Sequence, residues 1–292
     1  MASRRGSVLA CVGVVIALAC SCRGDPTTVM TRLEGSLRAL AELRVHFSGA
    51  ANASNSAVMA DTDEAAIAAA REAEKATKEV EARADALARL LEGLNYASES
   101  QILREFKARF SEYKKLDSRI LALAVENTNL KASALSVGPA RQSADGFRRL
   151  LESIASSSPT KDRCRIDGLV SEAVLAVREI QLLYAPHIAE RDEATMARME
   201  KEMADLDAKA RAALGSLREL VPTAGAALGD ALSKLDQLEG TSRQIVELSR
   251  RNTDVVSLDL ALRQMPTLKA ACDERLQALQ VALEKEEPKP TR

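Results

Sequence analysis

The residues whose types suit chemistry are few and widely spread. His46 and His187 are the only histidines. Metal sites gather His, Cys or carboxylates at short spacing, and neither histidine has a cysteine or second histidine nearby. His187 with Glu190 is an i, i+3 pair, yet its place near a turn reads as surface. Met196, Met199 and Met203 fall at the spacing of a soft-metal stripe, but the same spacing fills a helical core, and core is the reading taken. Arg148-Arg149 and Arg250-Arg251 are suited to holding a carboxylate and read instead as a solvated face. Cys164 and Cys272 would fall at opposite ends of an up-and-down bundle. Thirty helical residues span about 45 Å, whereas a disulfide needs Cα atoms within about 7 Å, so two separate, mostly buried thiols are expected. The chain offers no nucleophile beside a base, no phosphate-cradling glycine loop and no carboxylate pair placed for acid–base work. The expectation is a non-enzymatic protein with no metal and no cofactor.

One polar pair recurs. The stretch 116–135, LDSRILALAVENTNLKASAL, returns at 242–260 as SRQIVELSRRNTDVVSLDL. At a shift of 125 residues the two match at Ile120/Ile245, Leu123/Leu248, Asn127/Asn252, Thr128/Thr253 and Leu135/Leu260, with Leu151/Leu276 downstream. A repeat of this length, apolar at helical spacing, marks a duplicated helical unit. Asn127 and Asn252 continue the inward stripe of their helices. Either they touch a ligand inside the bundle or, the preferred reading, they are buried polar residues that fix register. A buried amide without partners costs about 1–3 kcal/mol, so each should find a mate in the neighbouring Thr128 or Thr253 or in another helix. On that reading Asn127→Leu leaves binding unchanged and keeps or raises the melting temperature.

Composition narrows the class of protein. With 41 basic and 42 acidic residues the net charge is −1, and no basic face is offered to a nucleic acid. Aromatic residues are 2% with no Trp, which disfavours sugar platforms and base-stacking surfaces. Ala, Leu, Glu, Lys and Arg dominate, and only 13 Gly and 8 Pro interrupt them. That is the composition of long helices, and the fold class expected is all-α.

At the N-terminus, Arg4 and Arg5 precede the apolar run 8–19, too short to span a bilayer as a helix, which needs about 20 residues. The run ends in small residues before Cys20 and Cys22. This is similar to the lipobox of bacterial lipoproteins, with Cys20 the preferred lipidation site and Cys22 the alternative. Ala17 stands where the pattern prefers Leu, and ordinary cleavage after Ala19 is the competing reading. The organisation expected is a signal peptide (1–19), a tether (20–28), a helical bundle unit (29–156), a linker (157–163), a second unit (164–286) and a tail (287–292).

Within the first unit, a helix at 29–47 frays in the small polar run 48–56, a second runs from 63 to 94, and a third starts near Glu99. Gly138-Pro139 breaks the third. A turn followed by a fourth helix is the preferred reading there, and a kinked continuous helix the rival. Met265-Pro266 poses the same choice in the second unit.

With both repeats in view, the chain resembles the four-helix-bundle sensor domain of bacterial methyl-accepting chemotaxis receptors. The resemblance rests on Tyr113, Leu116-Asp117 and 120–132 in the first copy, on 245–255 in the second, and on 184–194, which resembles the join between the first two helices of that domain. It covers most of 30–285. Receptors of that family carry a transmembrane helix on each side of the sensor and a cytoplasmic signalling coiled coil. With neither apparent here, the resemblance implies a detached extracytoplasmic module. The function expected is that of a lipid-anchored, sensor-like bundle on the periplasmic side of the cell envelope, at the outer rather than the inner membrane. It would bind a small ligand or an envelope protein, or pair as a homodimer. The alternative is a structural envelope lipoprotein acting as a helical spacer or oligomeric scaffold.

Overall fold

The helical periodicity is realised almost without interruption. A computed structural model describes residues 26–158 and 160–286, and among these every regular element is helical. In chain order they are α1 (Pro26–Val58), α2 (Asp63–Leu94), α3 (Ala97–Glu126), α4 (Thr128–Leu135), α5 (Arg141–Ser157), α6 (Arg163–Ala189), α7 (Glu193–Leu220), α8 (Gly225–Arg251), α9 (Thr253–Asp259) and α10 (Met265–Lys285). None is long and apolar enough to cross a membrane. The signal peptide, the tether with Cys20 and Cys22, and the tail lie outside the described residues, apart from helical positions 26–28.

Local chemistry sets the ends of these helices. Thr62 caps α2 by accepting a hydrogen bond from the Ala65 N–H at 3.1 Å, and Asp192 caps α7 through the Thr195 N–H at 2.8 Å. Among the described residues three non-glycine positions have positive φ, and all three are asparagines at helix ends: Asn95 (57°), Asn127 (52°) and Asn252 (51°). Asparagine is among the few L-residues that adopt the left-handed region readily.

The chain-long arrangement differs from two consecutive bundles. Gly138-Pro139 does not turn the chain. The helix widens into a π-turn over Ser136–Ala140 and runs on into α5. A second π-turn, Leu260–Gln264, joins α9 to α10, with the Met265 N–H reaching back five residues to the Leu260 carbonyl. An inserted π-turn absorbs the donor that proline lacks without reversing direction. Helices α3–α5 therefore form one broken rod over 97–157, and α8–α10 a second over 225–285. Each has a contour of about 90 Å.

The rods lie antiparallel. Arg275 meets Glu105 at 3.0 Å towards one end, Thr128 meets Thr253 at the middle, and Gly146 lies against Lys234 towards the other. The α1–α2 hairpin packs on one end of this pair and the α6–α7 hairpin on the other.

Each bundle thus takes three helices from one repeat and a fourth from the other. The first core joins Leu40, Phe47, Leu87 and Phe106 to Cys272 and Leu276 of α10. The second joins Phe147 and Leu151 of α5 to Val177, Leu217 and Leu235. Division into units at 29–156 and 164–286 is accordingly corrected. Helices α5 and α6, which flank the 157–163 segment, both belong to the second bundle, and the passages between bundles are the rods themselves.

The small polar run 48–56 is corrected as well. It stays helical, with the Ser54 and Ser56 hydroxyls donating to the carbonyls four residues back, at 3.1 Å each. Ala50, Ala51 and Ala57 are buried there, because small side chains let neighbouring helices approach closely.

Candidate functional site

The recurring Asn-Thr pairs meet at the crossing of the rods. Each Asn ends one helix, and the next begins at the Thr, leaving the N–H groups of that first turn without intrahelical partners. Neither Asn caps its own helix through its side chain. The opposite repeat supplies the caps. The Thr128 N–H donates to Thr253 Oγ1 at 3.1 Å, the Thr253 N–H donates to Thr128 Oγ1 at 3.1 Å, and the two hydroxyls lie 3.2 Å apart. The Leu130 N–H donates to Asp254 Oδ2 at 3.1 Å, and the Asp254 N–H donates to Asn129 Oδ1 at 3.3 Å.

Around this centre, Asn127 Nδ2 donates to Asp63 Oδ1 (2.9 Å) and Asn252 Nδ2 to the Glu190 carbonyl (2.7 Å). Asn129 Nδ2 donates to Asn252 Oδ1 at 2.8 Å. Asn127, Thr128, Asn252 and Thr253 are all buried. Burial pushes the Asp254 carboxyl above its ordinary range, while the Leu130 N–H holds it partly down. The expected mates exist, but the asparagines are not links in an unbroken stripe. They are the left-handed breaks that let two helix starts face each other.

His187, read from sequence as surface, is fully buried. Its Nδ1 lies 2.5 Å from Ser249 Oγ and its Nε2 2.9 Å from Glu200 Oε1. An ionised Glu200 only accepts, so in the neutral ring Nε2 carries the proton and Nδ1 accepts from Ser249. Arg250, expected on a solvated face, holds Glu200 through two contacts of 2.6 and 2.8 Å, and together with His187 keeps that carboxyl below its usual range. Ser249 is also fully buried, so its hydroxyl meets no substrate and the trio serves to tie α6, α7 and α8 together.

Beside this tie a cleft of about 580 Å³ opens between α7 and α8. Ile180, Met203, Leu238 and Val246 form its apolar surface, and Ser242, fixed by a 2.5 Å hydrogen bond with the Tyr184 hydroxyl, adds a polar point. Ionic clamps between α7 and α8 flank it. At one end Arg250 grips Glu200. At the other Arg211 joins Asp207 (2.7 Å), Asp236 (2.7 Å) and Glu239 (3.0 Å). The lining holds carboxylates of Glu200, Asp207, Glu239 and Glu247 against guanidinium groups of Arg243 and Arg250. Glu247 alone among those carboxylates has no ion pair with any of the described residues.

The cleft has a cause in the repeat. At the 125-residue shift, Phe106, Phe110 and Tyr113 of the first bundle correspond to Ala231, Leu235 and Leu238 of the second. The aromatic side chains stack and pack edge-on with Phe47 in the first bundle. Of the three counterparts Leu238 lines the cleft, where its side chain takes up less volume than the Tyr113 ring does in the first bundle.

The remaining chemistry-bearing residues lie apart. His46 is half-buried on α1, and among the described residues no three His, Cys, Asp or Glu side chains gather to hold a metal ion. Met196 and Met203 are buried and Met199 packs against the second core. Cys272 is buried, which pushes its thiol up to about 12, and Cys164 is exposed at the start of α6 rather than buried as expected. No known family model matches the chain, and no curated protein matches it.

Proposed function

We propose that the protein is a non-enzymatic binding module of the cell envelope whose α7–α8 cleft takes a small amphipathic cation. The observation that carries this reading is the cleft itself. Its volume of about 580 Å³ lies within the range of roughly 300–1,000 Å³ found for small-molecule sites, and it pairs an apolar surface with a few placed polar groups. Arg211, Arg243 and Arg250 pair with Asp207, Glu239 and Glu200, which leaves Glu247 as the lining carboxylate free to meet a positive head group. The resemblance to chemoreceptor sensor domains agrees with a binding role. The N-terminal pattern supports export and lipid attachment at Cys20, with Cys22 the alternative.

A thermal-shift comparison of phenethylammonium with phenylacetate tests the cleft. The cation should raise the melting temperature with concentration as RT ln(1 + [L]/Kd), the anion should not, and Glu247→Gln should weaken the effect. Equal shifts from both ions, or none from the cation, would overturn the proposal. Absence of any shift together with a concentration-dependent oligomer in sedimentation would favour the scaffold reading. Labelled palmitate should enter the wild type and not Cys20→Ala; a wild type that takes up no label is an unlipidated protein.

A further inference from the structure

A second cavity lies in the first bundle, about 120 Å³ in volume, between α1, α3 and the start of α10. Tyr113 and Asp117 line it and are 0% and 2% exposed, and neither the Tyr113 hydroxyl nor Asp117 Oδ1 has a hydrogen-bond partner. The Ser54 hydroxyl, also on its wall, donates to the Ala50 carbonyl at 3.1 Å, so it is at most a shared donor for the carboxylate. Lys269 stands at the edge but is bound to Asp273 at 2.6 Å, and it does not form an ion pair with Asp117. A buried carboxylate without a counter-charge is costly.

The second bundle shows what a filled version of this place looks like. The buried positions of α1 and α6 line up in sequence at a shift of 130, pairing Leu40 with Val170, Phe47 with Val177, Ala50 with Ile180 and Ser54 with Tyr184. Asp117 corresponds to Ser242 at the 125-residue shift of the rods. In the second bundle the Tyr184 phenol fills the space and hydrogen-bonds Ser242. In the first, the short Ser54 leaves that space to the cavity, and the partner has become a carboxylate.

We infer that the cavity beside Asp117 is a binding site for a small primary ammonium ion. Its unpartnered groups are acceptors, or hydroxyls able to accept, so a ligand rich in N–H donors matches them. One carboxylate supplies one charge, where a divalent cation wants several oxygen ligands at once. Val58, Ile120 and Met265 form apolar walls that suit a short alkyl chain. Burial raises the Asp117 carboxyl to about 6, with Ser54 pulling it partly back, so at pH 7.5 it is ionised and able to pair with the ion. This site is separate from the α7–α8 cleft and stands without it.

The test compares melting of the full chain at pH 7.5 in methylammonium chloride and in tetramethylammonium chloride at equal ionic strength. The second ion has the charge but no N–H donors. Methylammonium at ten times its dissociation constant should raise the melting temperature by roughly 3 °C over tetramethylammonium. Asp117→Asn should abolish the difference, Tyr113→Phe should reduce it, and Ser242→Ala in the other bundle should retain it. Ser54→Tyr, which copies the second bundle, should remove the effect with the fold kept, and so covers the case in which Asp117→Asn fails to fold. Equal melting of the wild type in the two salts up to 100 mM (roughly ten times a Kd of 10 mM), or a difference that survives Ser54→Tyr, would overturn the inference.

Discussion

Replacing Thr128 and Thr253 by valine, singly and together, probes the crossing that joins the two bundles. Valine keeps the shape of threonine and removes only the hydroxyl. In Thr128→Val the Thr253 N–H loses its 3.1 Å acceptor inside a buried site, and the 3.2 Å contact between hydroxyls disappears. An orphaned buried N–H costs about 2 kcal/mol and a lost hydroxyl pair about 1 kcal/mol. Thr253→Val does the same to the Thr128 N–H. Each single variant should therefore lose about 3 kcal/mol. The double variant should lose about 5 rather than 6 kcal/mol, because the hydroxyl pair can be lost only once. Urea unfolding followed by circular dichroism at 222 nm measures all four corners of this cycle, at an unchanged denaturant slope. Either single variant within about 0.5 kcal/mol of wild type, or a double variant with no coupling, would refute reciprocal capping.

Three further outcomes follow from the same geometry. Asn127→Gly should be tolerated within about 1 kcal/mol, whereas Asn127→Leu should cost about 2–3 kcal/mol through left-handed strain and loss of the Asp63 contact, readable in the same urea titration. That reverses the expectation drawn from an unbroken stripe, under which leucine kept or raised stability. Asp117 has a folded pKa of about 6 against 3.8 unfolded, so its ionised form penalises the native state above pH 6 by about 3 kcal/mol, and the penalty fades as pH falls from 6 towards 3.8. In amine-free buffer the stability gap between wild type and Asp117→Asn should accordingly narrow on acidification from pH 8 to pH 4.5; a constant gap would contradict it. Leu238→Tyr, which installs the first bundle's Tyr113 at the matching position, should fill part of the α7–α8 cleft. Phenethylammonium affinity should then drop at least tenfold by calorimetry, while melting temperature changes little.

The sequence carried the helices clearly, because apolar three–four spacing and the cap residues Thr62 and Asp192 are local signals. It carried the connectivity poorly. Gly138-Pro139 looks the same whether the chain reverses or widens into a π-turn, and in the fold that turn packs against α8 of the other rod. The mutual capping of Thr128 and Thr253 joins residues 125 apart, so no local pattern reveals it. One trace was legible: a polar Asn directly before a Thr is as much a helix break and restart as a buried register mark.

His187 was misplaced for the same reason. Its partners Glu200 and Ser249 are 13 and 62 residues away and belong to different helices. One wall of the cleft, by contrast, was within reach of the sequence, since Leu238 stands where the first repeat has Tyr113.

The most direct measurement of the central claim is a methyl-methionine NMR titration of the protein with phenethylammonium. Met203 lines the α7–α8 cleft and Met265 lines the cavity beside Asp117, so the two methyl groups report on the two sites separately. The Met203 resonance should move saturably while Met265 stays in place, and Leu238→Tyr should suppress the movement. A stationary Met203, or a Met203 shift unchanged by Leu238→Tyr, would contradict a ligand site in the cleft.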